Sequence, residues 1–235
     1  ADPVRAGLLF VGTETGVFYS LDDGRHWSRM PGGLPVVPVY DLKIKGADLV
    51  AGTHGRSFWI LDDITPLREI DVERRATRVF TPRDTVRQKL TFSALAGLRT
   101  GTGYQLSFGI GGAILSTDKP DGTKGREYLD VGENPPNGAI IYYWLADAAD
   151  APVTLAIRDA SGAVVATFRG DDQALTAARR PSAKAGLNRF IWDLKHSGPT
   201  KLDPALAPAR NKPLATEPDS VAGPAAVPGG YTVEL

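Results

Sequence analysis

The chain has 235 residues, 42% of them hydrophobic, with Lys plus Arg and Asp plus Glu each totalling 27; a real core is affordable, and no bulk charge favours nucleic acid or an anionic membrane. Cysteine is absent, which excludes disulfides, thiolate metal sites and cysteine nucleophiles, and no apolar run is long enough to span a bilayer as a helix. The 26 glycines and 18 prolines, set beside few amphipathic helical patterns, predict a mainly β chain whose strands are joined by many turns.

In chain order, Leu8–Val11 and Val17–Ser20 are β-prone runs split by the turn Gly12-Thr13-Glu14-Thr15-Gly16, so they predict a hairpin. A tighter corner follows in Ser20-Leu21-Asp22-Asp23-Gly24-Arg25-His26-Trp27. There Asp22 and Asp23 are expected to accept bonds from nearby N–H groups, Gly24 to take positive φ, and Trp27 to bury its ring against the next strand. Further strands are predicted over 27–30, 39–44, 49–51 and 57–61. A shift of 40 residues lays Gly12, Thr13, Phe18, Leu21, Asp22 and Asp23 on Gly52, Thr53, Phe58, Leu61, Asp62 and Asp63. A period of about 40 residues filled with short strands is that of a β-propeller blade.

These residues resemble the Asp-box (BNR) repeats of sialidase-like and sortilin-type propellers, with His26 standing where Ser or Thr is usual. The run Gly52 to Asp63 is similar to the closing blade of a bacterial family of exported sortilin-like propeller proteins. The resemblance implies one to two final blades over residues 1–70, with Ser20, Asp22, Asp23, Gly24 and Trp27 as structural Asp-box residues. It also implies an extracellular or periplasmic protein whose remaining blades are partners of this part. Because the chain opens within a blade-like block and stops in Tyr231–Leu235, a strand by its pattern, a fragment of a longer protein is expected, its signal peptide left behind.

After Asp62-Asp63 the charged run Glu73-Arg74-Arg75 suggests an exit segment or short helix, and Val79-Phe80-Thr81-Pro82-Arg83 resembles the family's link out of the propeller. Residues 71–131 form a linker with weak patterning: a strand is read over 104–110, and loops over 109–112 and 116–125. A second module is expected over 132–235, with strands at 139–145, 153–157, 164–168, 188–194 and 231–235 and a hairpin turn at Asp159-Ala160-Ser161-Gly162. Five alternating strands suggest an immunoglobulin-like β-sandwich. The segments 186–194 and 228–233 resemble the hook-capping (FlgD-type) Ig-like modules that follow such propellers. A Pro-rich loop is expected over 199–228.

Successive hairpin turns lie at opposite ends of a blade, which puts Glu14, His54 and Arg56 on the face away from the Asp-box corner. In propellers ligands usually meet that face, as the resemblance implies, so these three are the polar candidates for a catalytic site. Hydrolysis of a glycoside needs two carboxylates about 5 to 9 Å apart, and a sialidase instead needs several arginines with a tyrosine nucleophile; most of either set would come from absent blades. Asp22 and Asp23 lack the further oxygen donors of a calcium loop, and His26, His54 and His196 are too scattered for a metal cluster. No cofactor or metal is expected. Most aromatics read as core packing, with Tyr143 or Trp59 between the modules. The expected function is a non-catalytic interaction module that binds a protein or glycan, with no nucleic acid and no membrane insertion; the alternative is a C-terminal piece of a sialidase-like glycoside hydrolase.

Overall fold

The computed structural model describes residues 1–71, 76–87, 101–107, 110–118, 124–129, 135–173, 175, 177–198 and 223–235. The chain is mainly β, and its described strands form antiparallel three-stranded sheets. It divides into two compact units: residues 1–85, 138–194 and 227–235 form the first, and residues 86–137 and 195–226 the second. Within the first unit, residues 78–79 of the expected linker pair with residues 143–144.

The first sheet of that unit has the order β1 (Leu9–Thr13), β2 (Gly16–Ser20), β3 (Ser28–Arg29). The next has the order β4 (Val39–Lys45), β5 (Asp48–Thr53), β6 (Phe58–Leu61). Cross-strand partners share a face of a sheet, so the pairs Phe10↔Tyr19 and Gly12↔Val17 define one face of the first sheet. Leu42↔Ala51, Ile44↔Leu49, Ala51↔Trp59 and Leu49↔Leu61 define one face of the second. These two faces share a core in which Val17, Val39, Leu49 and Ala51 are buried and Phe10, Tyr19, Leu42, Ile44 and Leu61 pack around them. The approach is close: a Cβ on Gly12 would lie 2.7 Å from the Val39 carbonyl oxygen, so only glycine fits there.

A short helix, α1, spans Thr65–Glu69 with Pro66 in its first turn; the exit segment or helix expected at Glu73-Arg74-Arg75 lies outside the described residues. Burial of Ile64 and Leu67 joins this helix to the same core. The chain start is fixed there too. Asp2, whose side chain is fully buried, receives Arg68 Nε at 3.0 Å and Nη2 at 2.8 Å, while its Oδ1 accepts the N–H groups of Val4 and Arg5. Arg5 adds a guanidinium bond to the Leu67 carbonyl.

The link out of the repeat becomes β7 (Arg78–Val79), which pairs with β11 (Ala139–Leu145) in the sheet order β14–β11–β7, β14 being Gly186–Trp192. A further sheet has the order β13 (Val164–Arg169), β12 (Thr154–Asp159), β15 (Tyr231–Glu234). Phe168 meets Phe190 at 4.8 Å between ring centroids and Trp192 meets Tyr231 at 5.1 Å, so the two sheets touch through aromatic rings. The hairpin at 159–162 forms as its composition demands: Gly162 has φ +87°, its N–H donates to the Asp159 carbonyl, and the Asp159 carboxylate accepts Ser161 N–H. Tyr143 is buried, with its hydroxyl donating to the Ser182 carbonyl at 2.6 Å, whereas Trp59 is 38% exposed.

In the second unit β8 (Gly101–Ser107), β9 (Ile110–Asp118) and β10 (Lys124–Tyr128) form a meander with β9 central. The loops expected at 109–112 and 116–125 are corrected at 110–112, 116–118 and 124–125, which are strand; 109 and 119–123 lie outside the described residues. Residues 110–118 are one continuous strand, paired with β8 over 110–116 and with β10 over 114–118, and β10 takes up from Lys124. Of the Pro-rich segment, 199–222 lies outside the described residues, and Ala225 bridges to Lys195.

Candidate functional site

The corner at residues 20–27 is held by its own side chains. Ser20, 1% exposed, receives Gly24 N–H at 2.8 Å and donates its hydroxyl to Asp22 Oδ1 at 2.8 Å. Asp22 Oδ1 also accepts His26 N–H at 2.9 Å, and its Oδ2 faces His26 Nδ1. The bonds from His26, first from its ring and then from its N–H, with the one from Ser20, hold the Asp22 carboxyl well below the usual carboxylate range. Asp23 and Gly24 take φ +60° and +87°, and Asp23 N–H donates to the Gly7 carbonyl. Asp22 thus accepts bonds as expected, while Asp23 acts through its backbone. Trp27 departs from expectation: its ring lies beside Gly24 but remains 43% exposed, because the strand after it is only two residues long and offers little to cover an indole. The Ser20 hydroxyl and the Asp22 carboxylate are bonded within the loop itself.

Gly12 packs on Val39, and Val39 pairs with Thr53, so the turns at 14–15 and 54–56 stand at one end of the two sheets, away from the corner. Glu14, His54 and Arg56 therefore do share an end, and all three are exposed. Among the described residues no bond joins them to one another. His54 stacks at 5.2 Å on the exposed Tyr40 ring, and its N–H donates to the Pro38 carbonyl; the Arg56 carbonyl accepts Trp59 Nε1. Two facing carboxylates are not assembled by these side chains.

Sequence reasoning missed a charged cluster at the other end of the second sheet. Arg83 Nη1 bonds Asp48 Oδ1 at 2.7 Å, and Asp48 Oδ1 also accepts Asp63 N–H at 3.0 Å. Asp63 is 4% exposed with φ +68°; its Oδ1 accepts Thr65 N–H and hydroxyl, while its buried Oδ2 has no partner among the described residues. Burial, reinforced by the Asp48 charge, pushes the Asp62 carboxyl up against the pull of Arg83 and Arg189. Arg189 bonds the Tyr142 hydroxyl across the β11–β14 ladder. The only sequence hint was the doublet Asp62-Asp63; its partners come from positions 48, 83 and 189. Among the described residues no group of three or more His, Asp or Glu is arranged to hold a metal.

The remaining feature is apolar. On the outer face of the second sheet, opposite the shared core, Asp41 pairs with Gly52, Gly52 with Phe58, Lys43 with Val50 and Val50 with Ile60. Phe58 is 77% exposed and Ile60 61%; Tyr40, in β4, and Val36, before it, are each 69% exposed. A Cβ on Gly52 would meet nothing nearer than 3.5 Å. Large apolar side chains exposed on a sheet face, as Phe58 and Ile60 are, are what an interaction surface presents.

No family model, curated protein or solved structure matches the chain.

Proposed function

We propose that the chain is a non-catalytic interaction module of an exported, sortilin-like Asp-box protein. In this reading β1–β6 belong to one to two propeller blades, and the sheets β14–β11–β7 and β13–β12–β15 form an immunoglobulin-like pair. The module binds a protein partner, further blades of the same kind included, through the outer face of β4–β6. The observation that carries this reading is the exposure of Phe58 and Ile60 on a face whose counterpart in the first sheet is buried. Ile60 favours protein over glycan, since an aliphatic side chain offers a sugar neither stacking nor hydrogen bonds. The exposed, mutually unbonded Glu14, His54 and Arg56 give a hydrolase reading no comparable support.

A photo-reactive phenylalanine analogue placed at Phe58, and in a control at the exposed Val164, tests this in extract from the source cells. Discrete protein adducts are expected from position 58 and not from 164. Equal labelling from both positions, or turnover of glycosides that disappears in Arg56→Ala, would count against the proposal.

A further inference from the structure

Comparison of the two repeats shows what the second one lacks. Gly12 pairs with Val17, but Gly52 pairs with Phe58, because the second hairpin loop is one residue longer. The spatial counterparts of Val17, Phe18 and Tyr19 are therefore Phe58, Trp59 and Ile60. In the first sheet the outer edge of β2 is covered: Val17 carbonyl accepts Met30 N–H at 2.9 Å, Phe18 pairs with Arg29 and Tyr19 with Ser28. In the second sheet β6 is the edge among the described residues, and α1 follows where a strand like β3 would be. Thr53 N–H donates to the Ser57 carbonyl, so by antiparallel alternation Trp59 and Leu61 turn their backbone groups to β5, and those of Phe58 and Ile60 point outward. Edge strands are normally blunted by Lys, Pro or a bulge. This one reads Phe-Trp-Ile-Leu, with charge only at its flanks, Arg56 and Asp62.

We infer that the free edge of β6 accepts an extended segment of another protein as an added antiparallel strand, an interaction resting on the proposed role of this sheet. Two observations define the segment. A small cavity of about 50 Å³ lies beside β6, lined among others by Met30, Leu34, Ala51, Trp59 and Leu61. A residue opposite Trp59 shares the face of Trp59 and Leu61, so an aliphatic side chain there faces this cavity. At the hairpin tip Arg29 of the first sheet donates to the Thr15 carbonyl, whereas the second tip carries Arg56, whose guanidinium has no bond among the described residues. Charge complementarity calls for an acidic residue at the C-terminal end of the incoming strand. The partner is thus an extended segment with an aliphatic residue and, three positions later, an acid, held by main-chain bonds to Phe58 and Ile60.

The probe is the capped hexapeptide Thr-Thr-Leu-Thr-Ser-Asp, titrated into the full chain into the millimolar range and followed by amide NMR. Saturable shifts centred on the Phe58 and Ile60 amides are expected. Binding should vanish for the peptide N-methylated at the two threonines that face Ile60 and Phe58. It should weaken about tenfold when the peptide leucine is replaced by serine, and it should lose its salt dependence in Arg56→Ala. Equal binding of the N-methylated peptide, or no saturable shift at Phe58 and Ile60, overturns the inference. Adducts from position 58 without these shifts would leave the sheet face as a docking surface and remove the edge from it, so the two readings fail separately.

Discussion

The two repeats carry the same dipeptide at the same place, and its fate differs. Asp23 and Asp63 both adopt left-handed backbone, φ +60° and +68°. After Asp23 comes Gly24, also left-handed, and the chain turns sharply through Ser20 and Asp22 into β3. After Asp63 come Ile64, Thr65 and Pro66; the Asp63 carboxylate accepts the N–H and hydroxyl of Thr65, and the chain enters α1. One glycine against one proline decides whether the sheet gains an outer strand or ends in a helix with an open edge. A corner motif thus fixes local geometry, and the residues after it decide whether a surface is closed or left for a partner.

The largest break in this comparison is expected at the tie between the chain start and α1. Asp2→Ala leaves the Arg68 guanidinium, 12% exposed, without its buried partner, and a loss of about 3 kcal/mol in denaturant unfolding is expected. Burial raises the Asp2 carboxyl, but the bonds from Arg68, Arg5 and Val4 outweigh it, so its pKa is lowered on folding. Its contribution is therefore complete above the ordinary carboxylate value of 3.8 and is lost as pH falls through the folded value.

Next in size is the glycine pair. Gly12→Ala forces a Cβ against the Val39 backbone and is expected to cost about 1–3 kcal/mol, whereas Gly52→Ala is expected to fall within about 0.5 kcal/mol of the parent. Equal costs, measured by thermal unfolding of both variants, would mean that the second sheet is covered as the first one is.

The smallest effect concerns the paired acids. Asp62 has its pKa raised by burial and then by Asp48, so its charged form opposes folding once pH exceeds the ordinary value of 3.8. Stability falls as pH rises through that window, because the folded state holds the extra proton. Asp62→Asn should therefore raise Tm at neutral pH, with the gain disappearing below pH 3.8. A gain that persists at low pH would point to a change other than charge.

Much of the fold was legible where turn chemistry and alternation agreed. The strand at 139–145 was placed to the residue, and the corner at residues 20–27 and the 159–162 turn follow from Gly and Asp at positions that demand positive φ or a side-chain acceptor. The strand at 110–118 was hidden because Gly111 and Gly112 carry no side-chain pattern, and it is their pairing with Leu106 and Gln105 of β8 that holds them extended. The Asp2–Arg68 pair and the cluster of Asp48, Asp62, Asp63, Arg83 and Arg189 are tertiary juxtapositions with no periodicity to announce them. The exposure of Phe58 and Ile60 ran against their apolar character, and it is where the candidate interaction site emerged.

The most direct measurement is residue-resolved hydrogen exchange of the Phe58 and Ile60 amides against those of their counterparts Val17 and Tyr19. If the second repeat presents an open edge, Phe58 and Ile60 exchange near the rate of free amides while Val17 and Tyr19 are protected by burial and by β3. Protection of Phe58 and Ile60 equal to that of Val17 and Tyr19 would mean that the edge is already closed, and the account would be wrong.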